Sequence, residues 1–172
     1  LSDNTNGGSS NPNNMGIDYF AGFMGGEVQN YTNWSKVING QTANSTTYTT
    51  TDFTDESINW IKKQTKPWFL WLAHNASHTP FHTPPSNLIS TPPNSTNLSK
   101  YLSAIEAMDS EINRLLQNIP KEQLDNTVII FLGDNGTPES VTQSPFTSAT
   151  AKSSLFEGGI RVPMIITGKG IS

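Results

Sequence analysis

The hydrophobic pattern of this chain is built around two short apolar runs, at residues 68–73 and 128–133. The second run, from Val128 to Gly133, is rich in β-branched residues and is too short for an ordinary helix, which is typical of a strand buried on both faces. The first run, from Trp68 to Ala73, has the same uninterrupted apolar character. Both runs therefore predict buried strands, and polar residues follow each of them at once.

The stretch between these strands has helical periodicity. From Ser99 to Ile119 the apolar residues recur at intervals of three and four, and Pro120 follows, so we predict a helix that ends there. Its apolar positions are Leu102, Ile105, Met108, Ile112, Leu115, Leu116 and Ile119. The polar positions of its other face are Glu106, Asp109, Ser110 and Arg114. We expect these polar residues to form a solvated face rather than a paired-carboxylate site.

A shorter helix is predicted at residues 54–63 and a third strand at residues 162–167. Thr54 suits the N-cap position of this helix, and its acidic first turn and basic last turn complement the helix dipole. Helix, strand, helix and strand in this order are typical of an α/β fold, so we predict part of a mixed, mostly parallel sheet flanked by helices. With right-handed crossovers, the carboxyl ends of the first two strands open on one edge of that sheet.

The residues before this helix predict loops and a hairpin. Residues 1–14 are mostly Asn, Gly and Ser and predict an irregular surface loop. Residues 15–26 concentrate aromatic residues between glycines, which favours a loop anchored by its hydrophobic side chains, with backbone packed on a sheet edge or pocket wall as the alternative. Within residues 31–51, Asn39-Gly40 predicts a β-hairpin with a type I′ turn. We therefore divide the chain, taken as part of a single domain, into a loop and hairpin region (1–53) and an α/β region (54–172).

Composition and charge exclude several classes of function. The net charge is −4 and the lysines are scattered, so the sequence lacks the basic patch of a nucleic-acid-binding protein. Cysteine is absent, which excludes disulfides, thiolate metal sites and a cysteine nucleophile within these residues. There is no apolar run of membrane-spanning length. Because Leu1 is not an initiator methionine, we expect the chain to have been cut from a longer one.

Candidate chemistry follows both strands. Asp134 and Asn135 come directly after the second strand, and their carboxylate and amide oxygens suit Ca²⁺ or Mg²⁺, although Asp-Asn-Gly is also a common turn. His74, His78 and His82 follow the first strand in a proline-rich loop that cannot be helical, so their spacing does not indicate zinc. Two interpretations of these histidines remain open. They can have a chemical role, in proton transfer or anion binding, or a purely structural one.

Charged residues near the carboxyl end add a third candidate. Lys152 can act as a point charge that binds an anion in the cleft, and Glu157 and Arg161 can form a structural ion pair around the glycines. Taken alone, these three residues are ordinary surface charges. If His78 and Asp134 lie at the same sheet edge, as the predicted topology requires, they line one cleft.

Three ordered runs resemble the sulfatase family of the alkaline-phosphatase-like superfamily. They are P-W-F-L-W-L-A-H-N-A-S-H-T-P-F, F-L-G-D-N-G and K-S-S-L-F-E-G-G-I-R-V-P, and Met15 to Gly22 is similar to the G-x-D-x-F-x-G segment of the same family. Members hydrolyse sulfate esters of small molecules or glycans, with a formylglycine made from Cys or Ser in a C/S-x-P-x-R motif and a divalent cation, commonly Ca²⁺. The resemblance therefore implies a metal-dependent sulfuric ester hydrolase.

The resemblance assigns roles to four residues. Asp134 and Asn135 match the pair that closes the cation site, with Ca²⁺ expected and Mg²⁺ an alternative. His78, in its A-x-H-x-P context, matches the histidine that contacts the sulfate and assists the leaving group, and Lys152 matches the lysine that contacts the sulfate. Such roles are chemically reasonable, because a cation, Lys⁺ and His all offset charge that develops on sulfate and leaving-group oxygens. His74 and His82 match no role.

The departures from the family pattern limit what this chain can do. Cys and Ser-x-Pro-x-Arg are both absent, so the formylglycine precursor is missing, as are the amino-terminal strand with its paired aspartates and the K-W-H run. The chain resembles roughly the middle third of a sulfatase domain. We expect the complete protein to be an enzyme and this chain alone to be inactive.

Two alternatives remain open at this stage. One is a phosphodiesterase or phosphonate hydrolase of the same superfamily, because a sulfate cleft resembles a phosphate cleft. The other is a non-catalytic remnant that binds sulfated glycans. Because sulfatases of this type are often exported, we expect a periplasmic or extracellular protein, and unpaired sheet edges can promote self-association.

Overall fold

The computed structural model describes residues 8–171. These residues form two compact units. The first unit comprises residues up to 95 together with residues 99–118, and the second comprises residues 96–98 together with residues from 119 onward. His78 lies in the first unit, and Asp134, Asn135 and Lys152 lie in the second.

An antiparallel sheet in the first unit contains the predicted hairpin. The strands β1 (Ala21–Gly22), β2 (Trp34–Ile38) and β3 (Gln41–Ser45) lie in that order, and β2 pairs with both neighbours. Asn39 and Gly40 connect β2 to β3 with φ of 45° and 84°, as a type I′ turn requires, so the hairpin is confirmed. The pairing of β1 with β2 also places part of the aromatic segment 15–26 on a sheet edge, which was the alternative to a loop anchored by its hydrophobic side chains.

Short helical turns precede this sheet. A 3-10 helix spans Gly8–Ser10, and helix α1 spans Asn11–Asn14 with Pro12 in its first turn, where proline is tolerated. The prediction of an irregular loop over residues 1–14 is therefore wrong for residues 8–14, and residues 1–7 lie outside the described part of the chain. The loop residue Asn39 contacts this region, because its side-chain oxygen accepts hydrogen bonds from Asn13 Nδ2 and the Phe20 N–H.

Helix α2 begins earlier than the sequence predicts. It spans Thr49–Ile61 and follows Tyr48, so Thr54 is a buried interior residue rather than the N-cap. The Thr54 hydroxyl donates to the Thr50 carbonyl, and the Ser57 hydroxyl donates to the Phe53 carbonyl. β-branched threonines favour strands, so the residue types at positions 49–51 predict the end of the hairpin rather than the start of a helix.

Helix α3 spans Asn97–Asn118 and confirms the predicted long helix that stops before Pro120. The residues of α3 that are buried differ from the predicted apolar set. Among the predicted apolar positions within Asn97–Asn118, Leu115 is the one that is buried. The buried residues of α3 are Ser103, Ala104, Ala107, Glu111 and Leu115. Leu102, by contrast, is 46% exposed. Small residues allow the helix to approach its neighbours closely, and this packing overrides the simple apolar periodicity. Within residues 8–171, no helix has the length and apolar character needed to cross a membrane.

The polar face of α3 is not the solvated face that the sequence predicts. The Ser110 hydroxyl donates to the Leu88 carbonyl, and Glu106 accepts the Ser90 N–H. The loop around residues 86–90, which includes a 3-10 helix at Ser86–Leu88, therefore packs against this face. Arg114 pairs with Asp55 of α2 at 2.7 Å, and of the four predicted residues Asp109 is the one fully exposed.

The core of the first unit lies between the sheet, α2 and α3. Its central cluster contains the buried residues Val28, Tyr31, Tyr48, Leu88 and Ala107. Trp34 of β2 packs edge-on against Phe53 of α2 with ring centroids 5.4 Å apart. The hairpin is therefore held on α2 by this apolar contact and by Lys36 of β2, which pairs with Asp52 and Glu56 of α2.

The second unit contains one antiparallel strand pair. Strands β4 (Val128–Leu132) and β5 (Met164–Gly168) pair in a register that sets Val128 opposite Gly168 and Leu132 opposite Met164. Short helices α4 (Lys121–Leu124) and α5 (Glu157–Ile160) and 3-10 helices at Glu139–Val141 and Ser148–Thr150 complete the unit. The third predicted strand is thus confirmed, beginning at Met164 rather than Val162.

The predicted sheet differs from the observed one in two respects. All strand pairs among the described residues are antiparallel, so the mixed α/β class is confirmed and the mostly parallel sheet is not. β4 is also not buried on both faces, because Val128, Ile130 and Leu132 are 48%, 60% and 57% exposed. Among the described residues, β4 pairs with β5 alone. A sheet of two strands buries neither of its faces unless another element packs on it. Association through these strands stays a prediction.

Residues 68–73 do not form the predicted strand. They lie in no described ladder, and their exposure alternates, with Phe69 83% and Trp71 72% exposed and the residues between them half-buried. The alternation is that of an extended chain covered on one side. The apolar run therefore indicates an extended conformation, but a strand also needs a neighbour to pair with.

Candidate functional site

Asp134 and Asn135 follow β4 directly, as predicted. The Gly133 N–H donates to the Pro163 carbonyl at 3.0 Å and extends the strand pair by one step, after which the chain turns away. Both side chains are exposed, and the Asn135 amide nitrogen donates to the Gly136 carbonyl at 3.2 Å. The carboxylate of Asp134 thus stands at the end of a strand with its oxygens accessible.

Glycines allow two backbone segments to meet beside this pair. The Gly136 N–H donates to the Gly159 carbonyl at 2.9 Å, and a Cβ at position 136 would lie 1.9 Å from the Gly158 carbonyl oxygen. A Cβ at position 158 would lie 2.4 Å from the Thr150 carbonyl oxygen. The three glycines are therefore required by close backbone contact, and we call this contact the glycine junction (Gly136, Gly158 and Gly159).

The glycine junction brings Lys152 next to the Asp134–Asn135 loop. The Lys152 N–H donates to the Thr137 carbonyl at 3.0 Å, which ties the two segments together two residues beyond Asn135. Lys152 is half-buried, and its ammonium forms no ion pair with any residue that the structure describes. The predicted pair of Glu157 and Arg161 is observed at 4.0 Å on the exposed surface of α5.

An open cleft of about 540 Å³ lies beside Lys152. Its lining consists of Pro138, Glu139, Ser140, Ser148, Lys152 and Ser153. Ser153 has a φ of 73°, in the left-handed region that favours glycine, and such residues cluster at functional sites. The cleft combines one cation, one carboxylate and several hydroxyls, a set that suits a polar ligand with an anionic group.

The donor set for a metal ion is partial. Asp134 and Asn135 offer hard oxygen ligands of the kind that Ca²⁺ or Mg²⁺ binds, and Asp134 has no ion-pair partner in the described chain. However, residues 8–171 contain no group of three or more His, Cys, Asp or Glu side chains arranged to hold a metal. The two residues fit a divalent cation chemically, and they can supply only some of its ligands.

His78 is held in the first unit through its backbone. Its N–H donates to the Asn75 carbonyl at 2.8 Å, and the Tyr31 hydroxyl contacts the carbonyls of Asn75 and His78 at 2.8 Å and 2.7 Å. The imidazole Nδ1 lies 3.2 Å from both the carbonyl and the hydroxyl oxygen of Thr79. Among the described residues its Nε2 has no partner, so this nitrogen can reach a ligand.

His82 takes part in an aromatic cluster. Its ring stacks on Tyr31 at 3.8 Å, and its Nε2 lies 2.9 Å from the Tyr48 hydroxyl. Burial lowers the pKa of His82, and the positive charge of Lys100 acts in the same direction, although the Pro80 carbonyl opposes them. These contacts fix the neutral ring in place, and they favour a structural role.

His74 is buried without a polar partner. Neither ring nitrogen has a hydrogen bond to the described chain, and the ring stacks on Phe53 at 6.4 Å. Burial lowers the pKa of His74 to about 4, so the ring is neutral at pH 7. The three histidines that are close in sequence therefore occupy three different environments.

The structure brings together part of the predicted site. Asp134, Asn135 and Lys152 belong to the second unit, in which a backbone hydrogen bond joins Lys152 to Thr137. His78 belongs to the first unit, and the cleft predicted for His78 and Asp134 stays a prediction. Sequence analysis missed Tyr31, which holds the His78 loop from 47 positions away. It also missed Glu139 and the serines around Lys152, which no local pattern marks.

Comparisons with known proteins agree with the resemblance in sequence. The chain matches the family model for Sulfatase over residues 2–172. It is 31% identical over 169 residues to an uncharacterised sulfatase, YdeN, of Escherichia coli strain K12, and the match covers 92% of this chain and 30% of YdeN. The crystal structure of Ps i-CgsB is 28% identical, with a TM-score of 0.79, and the match covers 92% of this chain and 41% of that one.

A second structure of Ps i-CgsB was determined in complex with k-i-k-neocarrahexaose. It is also 28% identical, with a TM-score of 0.80 and the same coverage of both chains. The chain therefore spans less than half of the length of each of these relatives.

Proposed function

Because the chain belongs to the sulfatase family, we propose that it supplies part of the active site of a metal-dependent sulfuric ester hydrolase. The observation that carries the proposal is the hydrogen bond from the Lys152 N–H to the Thr137 carbonyl. This bond joins the backbone of Lys152, whose ammonium has no ion-pair partner in the described chain, to the loop that begins with the exposed Asp134 and Asn135. Asp134 and Asn135 would hold a divalent cation through hard oxygen ligands, and Lys152 would contribute a charge-assisted contact to a sulfate group.

Lys152 and His78 carry the chemistry that this chain provides. The Lys152 ammonium binds a non-bridging sulfate oxygen and offsets its charge. The Nδ1 contact with the Thr79 carbonyl fits a proton on Nδ1, so the protonated ring carries its second proton on Nε2. When a nucleophile supplied from outside this chain bonds to sulfur and the bond from sulfur to the leaving oxygen breaks, that proton passes to the leaving oxygen, which avoids the release of a basic alkoxide.

Asp134 and Asn135 would hold the divalent cation, with Ca²⁺ preferred and Mg²⁺ the alternative. A cation bound there would polarise the sulfate oxygens. Tyr31 acts as a positioning residue, because its hydroxyl fixes the loop that presents His78.

The nucleophile lies outside this chain in our proposal. The sequence has neither Cys nor a Ser-x-Pro-x-Arg motif, so the formylglycine of the family has no precursor here. The chain also spans only 30% of YdeN and 41% of Ps i-CgsB. We therefore propose that the 172-residue chain alone is inactive and that catalysis requires the flanking sequence of the complete protein.

A glycan sulfate ester is the substrate class that we favour. The support is the complex of a similar structure with k-i-k-neocarrahexaose, together with the hydroxyl-lined cleft beside Lys152. An exported protein, periplasmic or extracellular, would meet such a substrate, and this location is part of the proposal.

The test is hydrolysis of 4-nitrophenyl sulfate with Ca²⁺ present, in the complete protein and in the 172-residue chain. We expect turnover only in the complete protein, and loss of turnover in Lys152→Ala and His78→Ala. Lys121→Ala is the matched control, since Lys121 is an exposed lysine of the second unit that pairs with Asp125. Cleavage of phosphate diesters without cleavage of sulfate esters would favour the phosphodiesterase alternative, and binding of sulfated glycans without turnover would favour the non-catalytic remnant.

A further inference from the structure

The cleft beside Lys152 contains a carboxylate that the proposed chemistry does not use. Glu139 and Lys152 line the same cleft with opposite charges, yet no ion pair within residues 8–171 includes either of them. An anion bound to Lys152 would therefore lie in the field of an unneutralised carboxylate. A site built only to bind sulfate would not place a second negative charge there.

Glu139 is held in place by its neighbours. It opens the 3-10 helix Glu139–Val141, in which Val141 is only 2% exposed and anchors the turn. The Val141 N–H and the Thr142 hydroxyl both donate to the Pro138 carbonyl, at 3.1 Å and 3.0 Å. The backbone of this cleft wall is therefore fixed, and the exposed Glu139 side chain projects from an ordered turn.

The rest of the cleft lining carries serine hydroxyls, and part of it is an ordered helical turn. Ser148 is the first residue of the 3-10 helix Ser148–Thr150. A reciprocal capping box between Thr147 and Thr150 caps the amino-terminal end of this helix. The hydroxyls of Ser140, Ser148 and Ser153 have no hydrogen-bond partner within the described chain. Each can donate to or accept from a ligand hydroxyl.

We propose that Glu139 is a specificity-determining residue that selects sugar sulfates carrying a free hydroxyl, and not a second anionic group, beside the sulfate held by Lys152. This inference rests on the proposed function. A carboxylate accepts charge-assisted hydrogen bonds from sugar hydroxyls and repels a neighbouring sulfate, so one residue favours the first ligand and disfavours the second. Simple aryl sulfates have no such hydroxyl and do not use Glu139.

The experiment compares kcat/KM for galactose monosulfates and galactose disulfates in the complete protein with Ca²⁺. We expect the wild type to prefer monosulfates and Glu139→Gln to lower this preference about tenfold, mainly through KM, because the like-charge repulsion is removed. 4-Nitrophenyl sulfate has a single anionic group and no sugar hydroxyl, so its kcat/KM should change far less than the preference does. Glu122→Gln removes the same charge from an exposed position on α4 outside the cleft, and it should leave the preference intact.

Two results would overturn the inference and leave the proposed function standing. In one, Glu139→Gln keeps the preference of the wild type; in the other, it changes kcat/KM for all substrates equally or only as much as Glu122→Gln does. If the wild type hydrolyses no sulfate ester, or if Lys152→Ala hydrolyses them as well as the wild type, the proposed function fails and the inference fails with it.

Discussion

In the first unit, charged side chains join the elements, whereas in the second unit backbone groups do so. Glu111 of α3, with its side chain only 2% exposed, accepts a hydrogen bond from Thr51 of α2 at 2.9 Å and pairs with Arg114. In the second unit, the Gly136 N–H and the Lys152 N–H make the corresponding connections. The two units should therefore be destabilised by different substitutions. The first should be sensitive to loss of buried polar side chains, and the second to side chains added where none fits.

The largest effect should come from adding a side chain at the glycine junction. Gly136→Ala places a Cβ 1.9 Å from a carbonyl oxygen that cannot move without breaking α5, so we expect the unfolding free energy of the chain to fall by about 4 kcal/mol. Amide hydrogen exchange at Lys152 should accelerate at the same time. Gly26→Ala is the control, because a Cβ there meets nothing within 4 Å. Equal effects of the two substitutions would contradict the role of the junction.

Removing the buried carboxylate of the first unit should have the next largest effect. Glu111→Ala leaves the partly buried Thr51 hydroxyl without its acceptor and removes one of the two carboxylates that pair with Arg114, so we expect a loss of about 3 kcal/mol in urea unfolding. Glu111→Gln should cost less, because its amide oxygen can still accept from Thr51. Asp109→Ala on the exposed face of the same helix serves as the reference, and a similar loss there would show that the buried contact is unimportant.

Acid should weaken the first unit through His74. Burial lowers the pKa of His74 to about 4 from its ordinary value of 6.5, so the unfolded chain binds more protons between these values. Stability is therefore full above pH 6.5 and is lost as the pH falls toward 4, by about 2 kcal/mol at pH 5. His74→Leu should remove this part of the pH dependence in thermal unfolding. A slope that His74→Leu leaves unchanged would exclude His74 as its source.

The smallest effect should come from an exposed strand position, in contrast to a buried core position. Val128→Thr changes a side chain that is 48% exposed on β4, and we expect a change within about 0.5 kcal/mol. Val28→Thr makes the same change at a core position that is 1% exposed, where it should cost about 2 kcal/mol because the hydroxyl loses its water. Chemical denaturation of both variants measures the contrast. Similar losses would mean that β4 is buried in solution.

Local signals account for the parts of the fold that the sequence predicted correctly. Asn39-Gly40 specifies its turn through backbone angles that these two residue types tolerate, and Pro120 ends α3 because proline cannot continue a helix. The misassigned features depend on distant neighbours. The start of α2, the burial of β4 and the pairing of residues 68–73 are decided by what packs against them, which periodicity does not record.

The candidate site divides in the same way. The positions of Asp134 and Asn135 after a strand follow from the sequence, because an apolar run ends where they begin. The adjacency of Lys152 depends on the Thr137 carbonyl, and the support of the His78 loop depends on Tyr31. These are single contacts between residues far apart in sequence, and no residue-type pattern marks them.

The glycine junction also has a consequence for how substrate preference can evolve in this protein. A side chain at any of its three positions would clash with backbone atoms, so substitutions there should disrupt the backbone that carries Lys152. The cleft also has exposed residues that can be replaced without loss of buried contacts, namely Glu139, Ser140 and Ser148. Substrate preference can therefore be changed by selection, or in a library restricted to these positions, without disturbing the backbone that carries Lys152, the residue proposed to bind sulfate.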